Sequence, residues 1–309
     1  MTQSLYFVWN PSEGIDLGFF MIRFYSLMFI VAFGLGWYLM KSIYEREGES
    51  LEKLDSLFIY TVFATLLGAR LGHVFFYDWN HFKDHKLEIL LPFRFEPQFE
   101  FTGFAGLASH GAAIAIILVM FYYSRKIIHK PILWILDRIV IPVSSGAIFV
   151  RLGNFFNSEI VGKETTSSLG VKFIRDQYSA LEAVDKTGIT DPKAAYEAIE
   201  SNPQYITLLN DVVVKHPAQL YEAFGYIFVF AILFYLYWKT NAREKQGYLF
   251  GLFLVLLWTV RFLVEFVKES QHGFADNSET ALFSTGQWLS LPFIAIGAYL
   301  INNAFKKAQ

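Results

Sequence analysis

The chain has 309 residues, of which 54% are hydrophobic, 18% aromatic and only 17% charged, and its mean hydropathy is +0.35. Soluble proteins carry about 25% charged residues, so this composition excludes an ordinary soluble domain and indicates a polytopic membrane protein. The net charge of −2 gives no reason to expect nucleic acid as a partner. The chain contains no cysteine, which excludes disulfides, a thiolate metal site and a cysteine nucleophile of its own.

Seven apolar runs along the chain are long enough to cross a membrane. A helix rises 1.5 Å per residue, so about 20 apolar residues span the hydrocarbon layer. The sequence therefore predicts an all-α polytopic membrane protein, with residues 1–309 forming a single membrane domain. The seven predicted transmembrane helices lie near residues 19–40, 57–77, 101–123, 133–156, 216–238, 248–267 and 284–304.

Two segments between these runs differ in composition. Residues 163–215, called the head segment below, are rich in Asp, Glu, Lys, Thr and Ser and predict one small hydrophilic insertion. An Asp-Pro pair within it predicts a short helix at 191–201. Residues 78–100 combine aromatic and charged residues without a spanning run, which predicts an amphipathic segment at the membrane interface.

The distribution of Lys and Arg predicts the orientation. Basic residues are concentrated after the first, third and fifth runs and at the end of the chain, whereas residues 1–18 contain none. Cytoplasmic loops of membrane proteins carry an excess of Lys and Arg. The sequence therefore predicts an extracytoplasmic N-terminus, a cytoplasmic C-terminus and an extracytoplasmic head segment.

Polar residues inside the predicted helices are the best guide to function, because an ionisable group costs roughly 2.5–3.5 kcal/mol at the membrane centre. Nearly all of them fall in the outer half of the membrane under the predicted orientation, so we expect them to line one outward cavity. They are Tyr25, Arg70, His73, His110, Arg151, Asn154, His216, Glu222, Arg261 and Glu265.

Two pairs among these residues have helical spacing. Arg261 and Glu265 are four residues apart, which favours an ion pair on one helix face, with either a functional or a structural role. Arg151 and Asn154 are three residues apart near the outer end of the fourth run. Arg151 either belongs to the cavity or extends to the lipid headgroups.

Histidines in the chain have competing interpretations. His110 is flanked by small residues, and its imidazole either acts as a general base or bonds to a neighbouring helix. His216 and Glu222 belong to a predicted polar helix face, which we do not expect to contact lipid. His81 and His85 have the spacing of metal ligands, but we interpret them as hydrated loop residues and predict no metal site.

Six runs together resemble the prolipoprotein diacylglyceryl transferase family, a family of bacterial membrane enzymes. They are Gly68-Ala-Arg-Leu-Gly72, Ser109-His110-Gly111, Arg151-Leu-Gly-Asn-Phe-Phe-Asn-Ser-Glu-Ile-Val-Gly162, His216-Pro-Ala-Gln-Leu-Tyr-Glu222, Arg261-Phe-Leu-Val-Glu-Phe266 and Gly286-Gln-Trp-Leu-Ser-Leu-Pro292. The third run is close to the family's signature. The chain departs from the family pattern at Ser158, where a glycine is frequent, and at Leu257, where a tyrosine is frequent.

The resemblance implies transfer of the diacylglyceryl group of phosphatidylglycerol to the lipobox cysteine of a prolipoprotein, with release of glycerol phosphate. It implies a location in the bacterial cytoplasmic (inner) membrane and requires no cofactor. With the residue patterns above, it predicts catalytic roles for Tyr25, His110, Arg151 and Arg261. The predicted substrate-binding residues are Asp137, Arg151, Asn154, Glu159, Gly162, His216, Glu222, Arg261 and Glu265.

These residue types suit the implied chemistry. Two arginines can bind one phosphate, and a histidine can accept the proton of a thiol whose usual pKa is about 8.5. The sequence leaves open whether His110 or another group takes that proton. The alternative is a transporter or channel for an anionic lipid or solute, in which the same arginines bind without bond breaking. Transporters often contain inverted repeats, and the sequence shows none.

Overall fold

A computed structural model describes residues 6–18, 21–91, 93–94, 99–101, 106, 108–269 and 283–306. Within these residues the α-helices are α1 Phe24–Glu47, α2 Leu51–Phe76, α3 Trp79–Phe82, α4 Ser109–Tyr123, α5 Ile132–Phe156, α6 Ile174–Gln177, α7 Ala180–Thr187, α8 Pro192–Ser201, α9 Ile206–Asp211, α10 Ala218–Lys239, α11 Tyr248–Val264 and α12 Thr285–Lys306. The strands are β1 Phe7–Trp9, β2 Gly14–Asp16, β3 Met21–Arg23, β4 Phe93–Arg94, β5 Glu100–Phe101, β6 Val171–Phe173 and β7 Val214–Lys215.

Six helices in the described residues are long and apolar enough to cross a membrane. They are α1, α2, His110–Ile128, α5, α10 and α12, the third comprising most of α4 and the π-helical turn that continues it. The prediction of a helical, polytopic membrane protein is confirmed. The apolar helix α11 is shorter, at 17 residues, so the count of seven spans stays a prediction.

Two predicted spans begin later than expected. The first helix begins at Phe24 because Met21–Arg23 pairs antiparallel with Gly14–Asp16 in a hairpin. The third begins at Ser109, after the two-stranded pair of β4 and β5. Apolar side chains suit both a membrane helix and a short strand at its end, so hydropathy alone does not separate them.

The chain forms two compact units, one from Met1–Leu39 with Asp137–Gln309 and one from Met40–Leu136. In the second unit α2 and α4 cross closely at Gly72 and Gly111, where a Cβ on Gly111 would lie 2.6 Å from the Cα of Gly72. Small residues allow such close crossings of membrane helices. Arg70, on α2, donates hydrogen bonds to the backbone carbonyls of Glu88 and Ile89 and so fastens the segment that follows the helix.

In the first unit, the head segment folds together with the N-terminal strand. Strand β6 pairs parallel with β1 and antiparallel with β7, which gives a three-stranded sheet. The short helices pack around a core that includes Ile174, Tyr196 and Ile199. The predicted helix at 191–201 is observed as α8, with Asp191 accepting a hydrogen bond from the backbone N–H of Ala194 at 3.0 Å, as an N-cap does.

Candidate functional site

The polar residues predicted on α5, α10 and α11 meet in the first unit. We call them, with one lysine that the prediction did not include, the polar cluster. Its members are Arg151, Asn154, Glu159, Glu222, Arg261, Glu265 and Lys268. Helix α5 provides the first two at its C-terminal end, and the loop after α5 provides Glu159. Helix α10 provides Glu222 in its second turn, and α11 with the turn after it provides the last three.

A continuous chain of polar contacts runs through the cluster from Glu222 to Glu159. Arg151 forms an ion pair with Glu222 through Nε and Oε2. Arg151 Nη1 also donates to Asn154 Oδ1 at 3.0 Å, and Asn154 Nδ2 donates to Glu159 Oε1 at 2.7 Å. Glu222 is only 1% exposed. The guanidinium therefore belongs to the interior cluster, and the alternative that it extends to the headgroups is not supported.

Lys268 lies on the other side of Glu222. Its Nζ is 3.8 Å from Glu222 Oε1 and 3.8 Å from Glu265 Oε2, and the residue is only 4% exposed. Glu265 also accepts a hydrogen bond from Ser284 Oγ at 3.2 Å. The start of α12 leaves room for this carboxylate, because a Cβ on Gly286 would lie 2.3 Å from Glu265 Oε1.

The expectation that Arg261 and Glu265 form an ion pair is wrong. Among the ion pairs of the described residues, Glu265 pairs with Lys268. Helix α11 ends at Val264, and Glu265 lies in the turn beyond it, with its carboxylate directed to Lys268 and Ser284. Arg261 packs its guanidinium over the Trp258 ring, 5.3 Å from the centroid. Stacking of this kind orients a planar cation without satisfying its hydrogen-bond donors.

Several buried atoms in the cluster have no hydrogen-bond partner among the described residues. They are Arg261 Nε, Glu222 Oε1 and Glu265 Oε2. A buried polar atom without a partner costs about 1–3 kcal/mol. An oxyanion beside Arg261 would satisfy its Nε–H, whereas the two carboxylate oxygens require hydrogen-bond donors.

Gly162 lies where three backbone segments meet. Its N–H donates to the His216 carbonyl at 2.8 Å, and the neighbouring N–H of Lys163 donates to the Val267 carbonyl at 2.7 Å. A Cβ on Gly162 would lie 2.6 Å from the Val267 oxygen, closer than real Cβ contacts. The junction holds the loop after α5 against the segment that carries Lys268. Gly162 allows this close approach because it has no side chain.

The loop before this junction has a strained backbone. Ser158 has φ of 54° and Ile160 has φ of 60°, a region that favours glycine. Between them, the carbonyl of Glu159 accepts a hydrogen bond from Gln219 Nε2 at 2.6 Å. Backbone strain is concentrated at functional sites when the surrounding structure enforces it.

The family model for prolipoprotein diacylglyceryl transferase matches residues 13–302, which include every residue of the polar cluster. The chain belongs to the prolipoprotein diacylglyceryl transferase family. It is similar to the phosphatidylglycerol–prolipoprotein diacylglyceryl transferase of Chloroherpeton thalassium, with 34% identity covering 100% of this chain and 98% of the relative. The corresponding proteins of Tolumonas auensis (34% identity, 95% of each chain) and Bacteroides fragilis (33% identity, 95% and 93%) are also similar. The resemblance inferred from the six runs is confirmed.

Other residues expected from the family pattern lie at the edge of the cluster. Tyr25, in the first turn of α1, lies beside Asn154, Arg151 and Glu159, and its ring packs on the backbone of Gly153. His216 precedes α10, and its Nδ1 is 3.1 Å from the Tyr221 hydroxyl. Its carbonyl is part of the Gly162 junction, so it contributes backbone as well as side chain.

Asp137 lies apart from the polar cluster, toward the other end of α5, and its contact with substrate stays a prediction. It is fully buried, and its carboxylate accepts hydrogen bonds from the backbone N–H groups of Gly247 at 2.7 Å and Phe250 at 2.9 Å. It therefore caps the N-terminus of α11. At 1.5 Å per residue along α5, its backbone lies about 21 Å from that of Arg151.

His110 belongs to the second unit, in the first turn of α4, and its side chain is exposed. Its catalytic role stays a prediction. Within the described ranges no three His, Asp or Glu side chains are grouped to hold a metal ion. His81 instead contacts Glu88 Oε2 at 3.0 Å, and His85 Nδ1 lies 3.0 Å from the His81 carbonyl.

Lys268 was missed as a site residue, although a signal for it is present in the sequence. Residues 261, 265 and 268 follow the i, i+4, i+7 spacing of one helix face. It is not among the predicted site residues because it lies just beyond the apolar run at 248–267. Its partner Glu222 is distant in sequence, and only the fold shows that the two meet.

Proposed function

We propose that this chain transfers the diacylglyceryl group of phosphatidylglycerol to the thiol of a prolipoprotein's lipobox cysteine, forming a thioether and releasing glycerol phosphate. The observation that supports the proposal is the buried polar cluster, in which Arg151 and Arg261 accompany carboxylates on the runs that carry the family resemblance. The substrates are those that the names of the similar proteins state.

In this reaction the sulfur attacks the glyceryl carbon that bears the phosphodiester, a carbon–sulfur bond forms, and the carbon–oxygen bond to phosphate breaks. The electron pair of the broken bond stays on the phosphate oxygen, so the phosphate changes from a diester with one negative charge to a monoester with nearly two. Guanidinium groups in a buried site stabilise charge that develops in this way. Arg151 and Arg261 would bind the phosphate, and the Nε–H of Arg261, which has no partner among the described residues, is a donor for it.

The remaining residues have supporting roles in the proposal. Tyr25 and Asn154 hydrogen-bond the lipid headgroup, Glu159 orients Asn154, and His110 accepts the thiol proton. No metal or organic cofactor enters the reaction, because the leaving group is already activated as a phosphate and the nucleophile is the substrate's own thiol.

We also propose the membrane arrangement. The chain crosses the bacterial cytoplasmic membrane seven times, including α11, with its N-terminus and head segment outside and its C-terminus in the cytoplasm. The excess of Lys and Arg after the first, third and fifth runs supports this orientation. A reporter fused after residue 309 should be active only in a form that works in the cytoplasm, and activity of a periplasmic reporter there would contradict the topology.

The activity is tested with purified protein in detergent, phosphatidylglycerol and a lipobox peptide, by measuring the release of glycerol phosphate. We expect release with a cysteine acceptor and none when the same peptide carries serine, because a serine hydroxyl ionises far less readily than a thiol. Release that does not depend on the peptide would indicate a lipase. Lipid binding without release under any condition would favour a transporter.

A further inference from the structure

Lys268 is a buried lysine whose role the family pattern does not explain. Lysine is rarely buried to this degree unless it has anionic partners, since removing an ammonium group from water is costly. Here both partners are carboxylates of the polar cluster, and each is 3.8 Å from Nζ, which is too long for a hydrogen bond. The lysine therefore lies between two carboxylates and is bonded closely to neither.

The charges in the cluster balance only when Lys268 is counted. There are three cations and three carboxylates, namely Arg151, Arg261 and Lys268 against Glu159, Glu222 and Glu265. Without the lysine, two guanidinium groups would face three carboxylates. A site with a net negative charge would repel a phosphodiester, and the repulsion would increase as the phosphate becomes a monoester.

The backbone holds Lys268 at this position. Residue 268 forms a β-bridge with Gly162, and the adjacent Glu269 N–H donates to the Val161 carbonyl at 3.1 Å. Lys215, in the head segment, donates hydrogen bonds to Glu269 at 2.8 Å and to Asp176 at 2.7 Å. Burial opposes the charge of Lys215, but these two partners outweigh it and raise the pKa of this lysine. The segment is thus fastened to the head segment as well as to the Gly162 loop.

We propose that Lys268 is a positioning residue of the phosphate site, which draws Glu265 away from the guanidinium of Arg261 and supplies the positive charge that lets an anionic phospholipid headgroup bind. The proposal rests on the proposed function for the identity of the lipid. The proposal itself concerns binding of the headgroup and does not require the transfer step.

Equilibrium binding of a short-chain phosphatidylglycerol to the purified, detergent-solubilised protein tests the proposal without requiring turnover. The matching diacylglycerol, which lacks the phosphate, is the control ligand. Lys268→Met should weaken phosphatidylglycerol binding by roughly tenfold or more and leave diacylglycerol binding unchanged. Lys268→Arg should retain most of the affinity. In turnover, Lys268→Met should raise KM for the lipid more than it lowers kcat.

A matched control is Lys163→Met, which removes the same charge from the loop that follows α5. Lys163 is exposed, and its ammonium donates to the Phe266 carbonyl at 3.0 Å instead of facing the carboxylates. We expect this variant to bind both ligands as the wild type does. If Lys268→Met does not fold, the double variant Lys268→Met/Glu265→Gln restores the charge balance and should recover both folding and phosphatidylglycerol binding.

The results separate the two proposals. If the wild type prefers phosphatidylglycerol to diacylglycerol but releases no glycerol phosphate, the transferase function is contradicted. The role of Lys268 is then decided by the binding measurements alone. Equal affinity of Lys268→Met and wild type for phosphatidylglycerol overturns the role of Lys268. Three other results also overturn it. One is that Lys268→Met loses affinity for phosphatidylglycerol and diacylglycerol equally. The others are that the double variant does not recover phosphatidylglycerol binding, or that the wild type does not prefer phosphatidylglycerol to diacylglycerol.

Discussion

Arg151 and Glu222 form an ion pair in the protein interior, between the C-terminal end of α5 and the second turn of α10. Breaking a buried ion pair from one side costs about 3–5 kcal/mol, because the remaining charge is left without compensation. The same arginine is the proposed phosphate ligand. Its replacement therefore affects stability and activity together, and a useful experiment must separate the two.

Arg151→Ala should abolish transfer and lower the free energy of unfolding by about 3 kcal/mol or more. In the Glu222→Gln background the same substitution should cost less stability, because the buried carboxylate no longer lacks its partner. Thermal unfolding of the four proteins in detergent gives the coupling energy, expected to be about 1 kcal/mol or larger. Additive effects on stability would contradict the ion pair, and wild-type turnover of Arg151→Ala would remove the residue from the mechanism.

Arg261→Lys tests whether a planar cation is required. Lysine retains the charge, but it loses the stacking on Trp258 and the Nε–H donor that has no partner in the described part of the chain. Turnover should fall by about 100-fold or more, in the range seen when one transition-state donor is removed. Arg125→Lys, at an exposed arginine beyond α4, should leave turnover unchanged. Activity of Arg261→Lys close to that of the wild type would show that charge alone is sufficient.

Gly162→Ala tests the backbone junction. The new Cβ would meet the Val267 oxygen at 2.6 Å and the His216 Cβ at 2.5 Å, so the three segments must separate. Overpacking of this kind costs about 1–3 kcal/mol, and it would shift Lys268 and Glu265 as well. We expect lower melting temperature and loss of turnover. Gly34→Ala, at a helical glycine with nothing within 4 Å of its Cβ position, should have neither effect. A Gly162→Ala protein with the melting temperature and turnover of the wild type would contradict the close packing at the Gly162 junction.

Ser158→Gly should stabilise the protein by about 1 kcal/mol. The substitution relieves the left-handed backbone at φ of 54° and removes a buried hydroxyl that has no hydrogen-bond partner among the described residues. The added flexibility of glycine in the unfolded chain offsets part of this gain. The opposite result, a lower melting temperature, is expected for Ser201→Gly at the end of α8, where the backbone is helical. Destabilisation by Ser158→Gly would show that the loop is not strained at this position.

Position 158 is one where the sequence departs from the family pattern and the structure gives the reason for that pattern. The sequence shows a serine where a glycine is frequent, but it does not show what the glycine is for. The structure gives the reason, which is a positive φ in the loop that leads to Gly162. By contrast, the short helix α8 was predictable from Asp-Pro alone, because its N-cap bond is formed by residues that are neighbours in the sequence.

The site itself was predictable in part. Intramembrane polar residues identified Arg151, Asn154, Glu222 and Arg261, since the cost of burying such groups is a property of the residue and its apolar surroundings. Which residues pair is a different question. Helical spacing suggested Arg261 with Glu265, whereas the structure joins Glu265 to Lys268 and Arg151 to Glu222.

The membrane class, the long helices, the family and most residues of the polar cluster were predictable from the sequence, because hydropathy, helix capping and motif spacing act over short stretches of chain. The folded structure was needed to show that Asp137 caps α11, that Gly162 joins three segments and that Lys268 completes the charge balance. These contacts join residues as far apart as Asp137 and Gly247 or Gly162 and Lys268. Local patterns carry no information about such partners, since they are selected by the packing of helices against one another.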